Sequence, residues 1–149
     1  MDDPLDDGAA RASTLAGELR VLIGQLRRRL REHTHLGDLT WSQVSVLAHL
    51  DREGPATVTT LARVEGVRPQ SMGATVAALE TSGLVSGVPD PADGRQTILS
   101  LTPAGEALIK ASRAAREDWL FRSIRARFSS AEQEELASAV DLLKRLADP

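Results

Sequence analysis

The sequence predicts a mostly helical α+β fold, with helical arms at both ends and a middle module carrying a β-hairpin. Three observations lead there. Apolar residues recur at three- and four-residue spacing over most of the chain. The period changes at residues 84–101, where two short runs flank a stretch dense in Pro, Asp and Gly. Capping signals and Gly or Pro stops cut the helical pattern into separate segments.

Residues 1–10 contain Asp2, Asp3, Pro4, Asp6, Asp7 and Gly8 without a period, and read as a flexible acidic tail. A helix is expected from about Arg11, with Leu15, Leu19, Leu22, Ile23, Leu26 and Leu30 on one stripe. The run 33–38 breaks it. Thr40-Trp41-Ser42-Gln43 is a capping box that opens a second helix, with Trp41, Val44, Leu47, Ala48 and Leu50 apolar. Glu53-Gly54-Pro55 ends it. A short third helix covers about 58–65 and closes at Gly66. A fourth starts at Pro69, a favoured first-turn residue, and places Met72, Val76 and Leu79 on one face. Residues 84–88 and 97–101 read as paired strands around a longer turn. Thr102-Pro103 then opens a long helix to about Arg127, with Leu108, Ala111, Ala115, Leu120, Ile124 and Phe128 inward. Ser129-Ser130-Ala131-Glu132 caps a last helix striped by Leu136, Ala139, Val140, Leu143 and Leu146.

Composition excludes several classes. The 149 residues contain no Cys, which removes thiolate catalysis, cysteine zinc sites and disulfide frameworks. No apolar run approaches the ~18–20 residues that span a bilayer. The acidic start is not a signal peptide, so a cytoplasmic location without membrane contact is expected. No Gly-rich phosphate loop or nucleophile elbow is present, and no enzyme is expected. No cofactor is implied. The net charge of -3 stands against the usual basic footprint of a nucleic-acid binder. Much of that acidity lies in residues 1–8, but residues 38–102 also carry more acids than bases.

The middle elements, three short helices followed by a hairpin, form a winged helix-turn-helix. Glu65-Gly66-Val67-Arg68 is the short Gly-containing turn between its second and third helices. The recognition helix is then the one from Pro69, whose N-terminal end meets base edges. Arg68, Pro69, Gln70, Ser71 and Thr75 are its candidate DNA contacts. Gln suits adenine, and Ser or Thr suits several edges or a phosphate.

Asp93-Gly94-Arg95, followed by Leu99-Ser100-Leu101-Thr102, resembles the wing signature of the MarR family (multiple-antibiotic-resistance regulators). Leu61-Ala62, Val67 with Pro69, Met72, Leu79-Glu80 and Gly83-Leu84-Val85 are similar to its helix-turn-helix pattern. The similarity extends over residues 11–147. It implies a homodimeric transcriptional regulator, a repressor on a pseudo-palindromic operator of double-stranded DNA, released by a small aromatic or anionic effector. Residues 11–37 and 103–149 would form the helical dimerisation region, and 38–102 the DNA-binding module. The apolar stripes of the arms need burial, and a two-fold dimer provides it. Arg95 would enter the minor groove, where negative potential attracts it. Asp93 would orient its guanidinium.

Positions that often carry Thr-Arg in the recognition helix and an Arg near the start of the wing in the family are Gly73-Ala74 and Gly87 here. That thinning predicts weaker phosphate binding and a shallow salt dependence. It also motivates a second reading, a winged-helix protein acting mainly through protein partners, as an anti-repressor or heterodimer. The resemblance places an effector near Arg31, His35 and Trp41, with His33 and His49 as further lining candidates. Glu32-His33-Thr34-His35 with Asp38 has ligand types that suit zinc, but a solvated loop is the better reading and no metal is expected.

Overall fold

The computed structural model describes residues 4–34 and 36–148, with side chains from residue 7. Its elements are α1 (Pro4–Glu32), α2 (Trp41–Glu53), β1 (Ala56–Thr57), α3 (Val58–Glu65), α4 (Pro69–Thr81), β2 (Val85–Pro89), β3 (Thr97–Leu101), α5 (Pro103–Arg127) and α6 (Ser130–Ala147). They divide between a helical unit, Met1–Thr34 with Ala115–Pro149, and a winged unit, His35–Ala114.

In the winged unit, local chemistry sets the ends of α2. Thr40 Oγ1 accepts from the Gln43 N–H, and the Gln43 side chain accepts from the Thr40 N–H, so the capping box is complete. Gly54 closes the helix at φ 87°. Its buried face is Val44, Val46, Leu47, His49 and Leu50. Trp41, expected on that stripe, is 45% exposed. The core joins Leu47 and Leu50 to Leu61 of α3, Met72, Val76 and Leu79 of α4, Val85 and Leu99 of the sheet, and Ile109 of α5.

The sheet has three antiparallel strands in the order β1-β3-β2. Gly87 faces Leu99, and Ala56 faces Leu99 from the other side. The two-residue β1 was not expected, because so short a strand carries no period.

Two expectations are corrected. The first helix starts at Pro4, not near Arg11, so residues 4–10 are helical and not a flexible tail. Pro suits a first turn, acids suit a helix N-terminus, and Arg11 pairs with Asp7 at 2.9 Å one turn apart. Residues 1–3 lie outside the described residues. In the winged unit, α5 buries Gly105, Ile109 and Ser112. The expected Leu108 is only partly buried and Ala111 is exposed. The Leu84 carbonyl lies against Gly105 so closely that a Cβ there would overlap it. That contact sets the rotation of the helix.

The helical unit comprises α1, the later turns of α5, and α6. His33 stacks on Trp119, with ring centroids 5.1 Å apart and planes at 16°. None of its described side chains is buried. Leu19, Leu22, Ile23 and Leu26 of α1 line an apolar groove of about 800 Å³ with Leu143 and Leu146 of α6.

Candidate nucleic-acid interface

The turn from α3 to α4 depends on Gly66. Its left-handed backbone (φ 65°, ψ 30°) suits glycine, and it lets the Val67 N–H donate to the Ala62 carbonyl at 3.0 Å. The chain then leaves α3 and re-enters a helix within a few residues. Ser45 Oγ of α2 donates to Glu65 Oε2 at 2.6 Å, in a half-buried bond that ties α2 to the end of α3.

Arg68 is the N-cap of α4 in extended conformation, and its side chain makes no capping bond. Pro69 follows, and the first turn has no acid. The positive end of the helix therefore faces outward uncompensated, an arrangement that attracts phosphate. Arg68, Pro69, Gln70 and Ser71 are all exposed there. Thr75 is half-buried, and its hydroxyl donates to the Ser71 carbonyl at 3.2 Å. That bond occupies its proton, so Thr75 presents acceptor lone pairs to a partner. Met72, Val76 and Leu79 anchor the opposite face.

The wing tip is held by its own hydrogen bonds. The Asp90 N–H donates to the Gln96 carbonyl at 2.9 Å and closes the loop. Asp90 Oδ1 accepts from the Ala92 N–H at 2.9 Å, and Asp93 Oδ1 from the Arg95 N–H at 3.1 Å. Asp93 thus acts on the backbone of Arg95, forming an Asx-turn, where the sequence suggested a grip on the guanidinium. Arg95 is exposed at the tip.

The three thinned positions differ in the fold. A Cβ on Gly73 would meet nothing within 4 Å. Ala74 is exposed. At Gly87 a Cβ would lie 2.6 Å from Thr97 Cγ2 and 2.9 Å from Glu80 Oε1, so neighbouring side chains have closed over the glycine.

Arg31 belongs to the helical unit and Trp41 to the winged unit, and His35 lies outside the described residues. Of the residues considered for zinc, Glu32 pairs with Arg29 at 3.2 Å and His33 stacks on Trp119. His49 instead lines a groove with Arg52, Thr60 and Val64. The sequence held no signal for this grouping, because α2, β1, α3 and β3 meet there only through the fold.

A recognition helix with an open N-terminus, set beside an Arg-tipped hairpin, defines a winged helix-turn-helix DNA-binding module. The MarR family model matches residues 37–96. The chain is 39% identical over 134 residues to an HTH-type transcriptional regulator of Mycobacterium tuberculosis, covering 90% of this chain and 93% of that protein. It is similar to the crystal structure of a transcriptional regulator protein from Pseudomonas aeruginosa PA01, with 35% identity and a TM-score of 0.83 over 93% of this chain and 97% of that one. The fold also matches that of an S. aureus MepR mutant bound to an oligodeoxyribonucleotide, with 20% identity and a TM-score of 0.67 over 89% of this chain and 97% of that one. The chain belongs to the MarR family of winged helix-turn-helix transcriptional regulators. This is a family of regulators, not of enzymes. No described helix is long and apolar enough to cross a membrane.

Proposed function

We propose that the protein is a homodimeric repressor. Its two winged units read a pseudo-palindromic operator in the cytoplasm, and a small effector releases it. The observation that carries the DNA contact is the exposed pair of Arg68, at the uncompensated start of α4, and Arg95, at the wing tip. Gln70, Ser71 and Thr75 are the candidate readers beside them, with Asp93 shaping the turn that presents Arg95. The bound oligodeoxyribonucleotide in the MepR structure supports this use of the fold.

Homodimerisation is supported by the helical unit. Leu15, Ile23, Phe121, Leu142 and Leu146 are each more than half exposed. Large apolar side chains left this exposed on helices support an association site. In this reading the helical unit is the dimerisation region and the winged unit is the DNA-binding module. The two-fold symmetry of the dimer would match that of the site.

A gel-shift titration against DNA from the protein's own upstream region tests the reading. A specific complex that Arg95→Ala and Arg68→Ala both weaken is the expected result. No specific complex at low salt would overturn it and favour the protein-partner alternative suggested by Gly73, Ala74 and Gly87.

A further inference from the structure

Helix α4 contains no Arg, Lys, His or Asn, so it lacks the side chains that most often pair with guanine and one of the two that pair with adenine. Gln70, Ala74, Ala77 and Thr81 recur at helical spacing opposite the buried Met72, Val76 and Leu79, and all four are exposed. Gly73 lies beside that stripe, with open space where a Cβ would sit. Beyond Gln70 the outer face therefore projects only small side chains, and base edges can approach the helix closely.

Most hydroxyls of this helix are already engaged. Thr75 Oγ1 donates to the Ser71 carbonyl at 3.2 Å, Thr81 Oγ1 to the Ala77 carbonyl at 2.9 Å, and Ser82 Oγ to the Ala78 carbonyl at 3.0 Å. Their protons are spent on the helix backbone, and only lone pairs face outward. Among the described residues of α4, the side-chain donors not so engaged belong to Gln70 and Ser71, both in the first turn. The second and third turns thus present methyl groups and acceptors. Guanine shows two acceptors in the major groove and needs donors there. Thymine shows its 5-methyl group and adenine an N6 donor, so an A·T pair matches both kinds of group on the helix.

We infer that Ala74 and Ala77 read thymine 5-methyl groups, and that the operator half-site carries A·T pairs opposite the second and third turns of α4. The inference rests on the proposed DNA reading and adds the class of sequence it recognises.

The full-length protein is offered a random-sequence duplex library, and the bound fraction is sequenced. Thr81→Cys gives the only thiol in a chain without Cys, and a DNA-cleaving chelate attached there marks the base pairs facing α4. Enriched half-sites are expected to hold A·T pairs at the marked positions. The enriched duplex is then rebuilt with deoxyuridine in place of thymidine, one position at a time, which removes the 5-methyl group and keeps the base pairing. Each contacted thymine is expected to lose about fourfold in affinity, the worth of one buried methyl-sized group, while flanking positions lose nothing. Ala74→Gly and Ala77→Gly are each expected to shrink the preference for thymine over uracil, a ratio that helix destabilisation alone does not move. Equal affinity for the thymine and uracil duplexes, guanine enriched at the marked positions, or an unaltered ratio in both variants would each overturn the inference and leave the DNA reading standing. A library that yields no enriched sequence would overturn both.

Discussion

Replacing Arg95 with Ala separates the proposed DNA contact from the fold. The side chain is exposed, and the wing holds Arg95 through its backbone N–H, which Ala retains. Stability should therefore change by no more than about 0.5 kcal/mol, the usual range for such a surface site. Binding should change far more. A groove-reading Arg is worth ~1–3 kcal/mol. Taking the lower end at each of two wings gives about 2 kcal/mol for a dimer, or roughly 30-fold in affinity. The slope of log K against log salt should flatten by roughly 2, one released counterion for each wing. Fluorescence anisotropy with an operator-containing duplex at four salt concentrations measures both quantities, and thermal unfolding checks the fold. An affinity loss below about twofold with an unchanged slope would refute the wing contact.

Further substitutions probe other parts of the argument. Gly73→Ala has open space and an ordinary helical backbone, so it should stabilise the protein by up to ~1 kcal/mol in urea unfolding. Gly105→Ala meets the Leu84 carbonyl and should destabilise by ~1–3 kcal/mol or more, read as a lower urea midpoint at unchanged m. Leu143→Asp places a charge on the apolar groove of the helical unit and should shift the proposed dimer toward monomer in sedimentation velocity. Operator binding by the unaltered protein should show a shallow salt dependence, and ten or more released counterions per dimer, roughly, would contradict the thinned basic face.

Much of the fold was legible because its signals are local. Thr40 with Gln43 and Ser129 with Glu132 are capping boxes whose two halves lie three residues apart, and both form. Gly66 followed by Pro69 marks the helix-turn-helix corner, because one residue suits a left-handed cap and the other a helical first turn. Met72, Val76 and Leu79 share a face through helical spacing alone, and the opposite side of α4 follows from them. Arg68 and Arg95 could be singled out as candidate DNA contacts because a corner and a wing tip are themselves local features.

Other properties depended on residues distant in the chain. The rotation of α5 follows from Gly105 meeting Leu84, so the residues buried there are offset from the apolar pattern. Gly87 reads as a missing base, yet Thr97 and Glu80 occupy the space around it. His49 reads as one more residue on a helix, until β1, α3 and β3 close a groove around its ring. The sequence by itself determined where helices begin, turn and stop, since those steps use hydrogen bonds within a few residues. Only the tertiary structure decided which side chains meet, since close packing is settled by atoms that segments far apart bring to the same place.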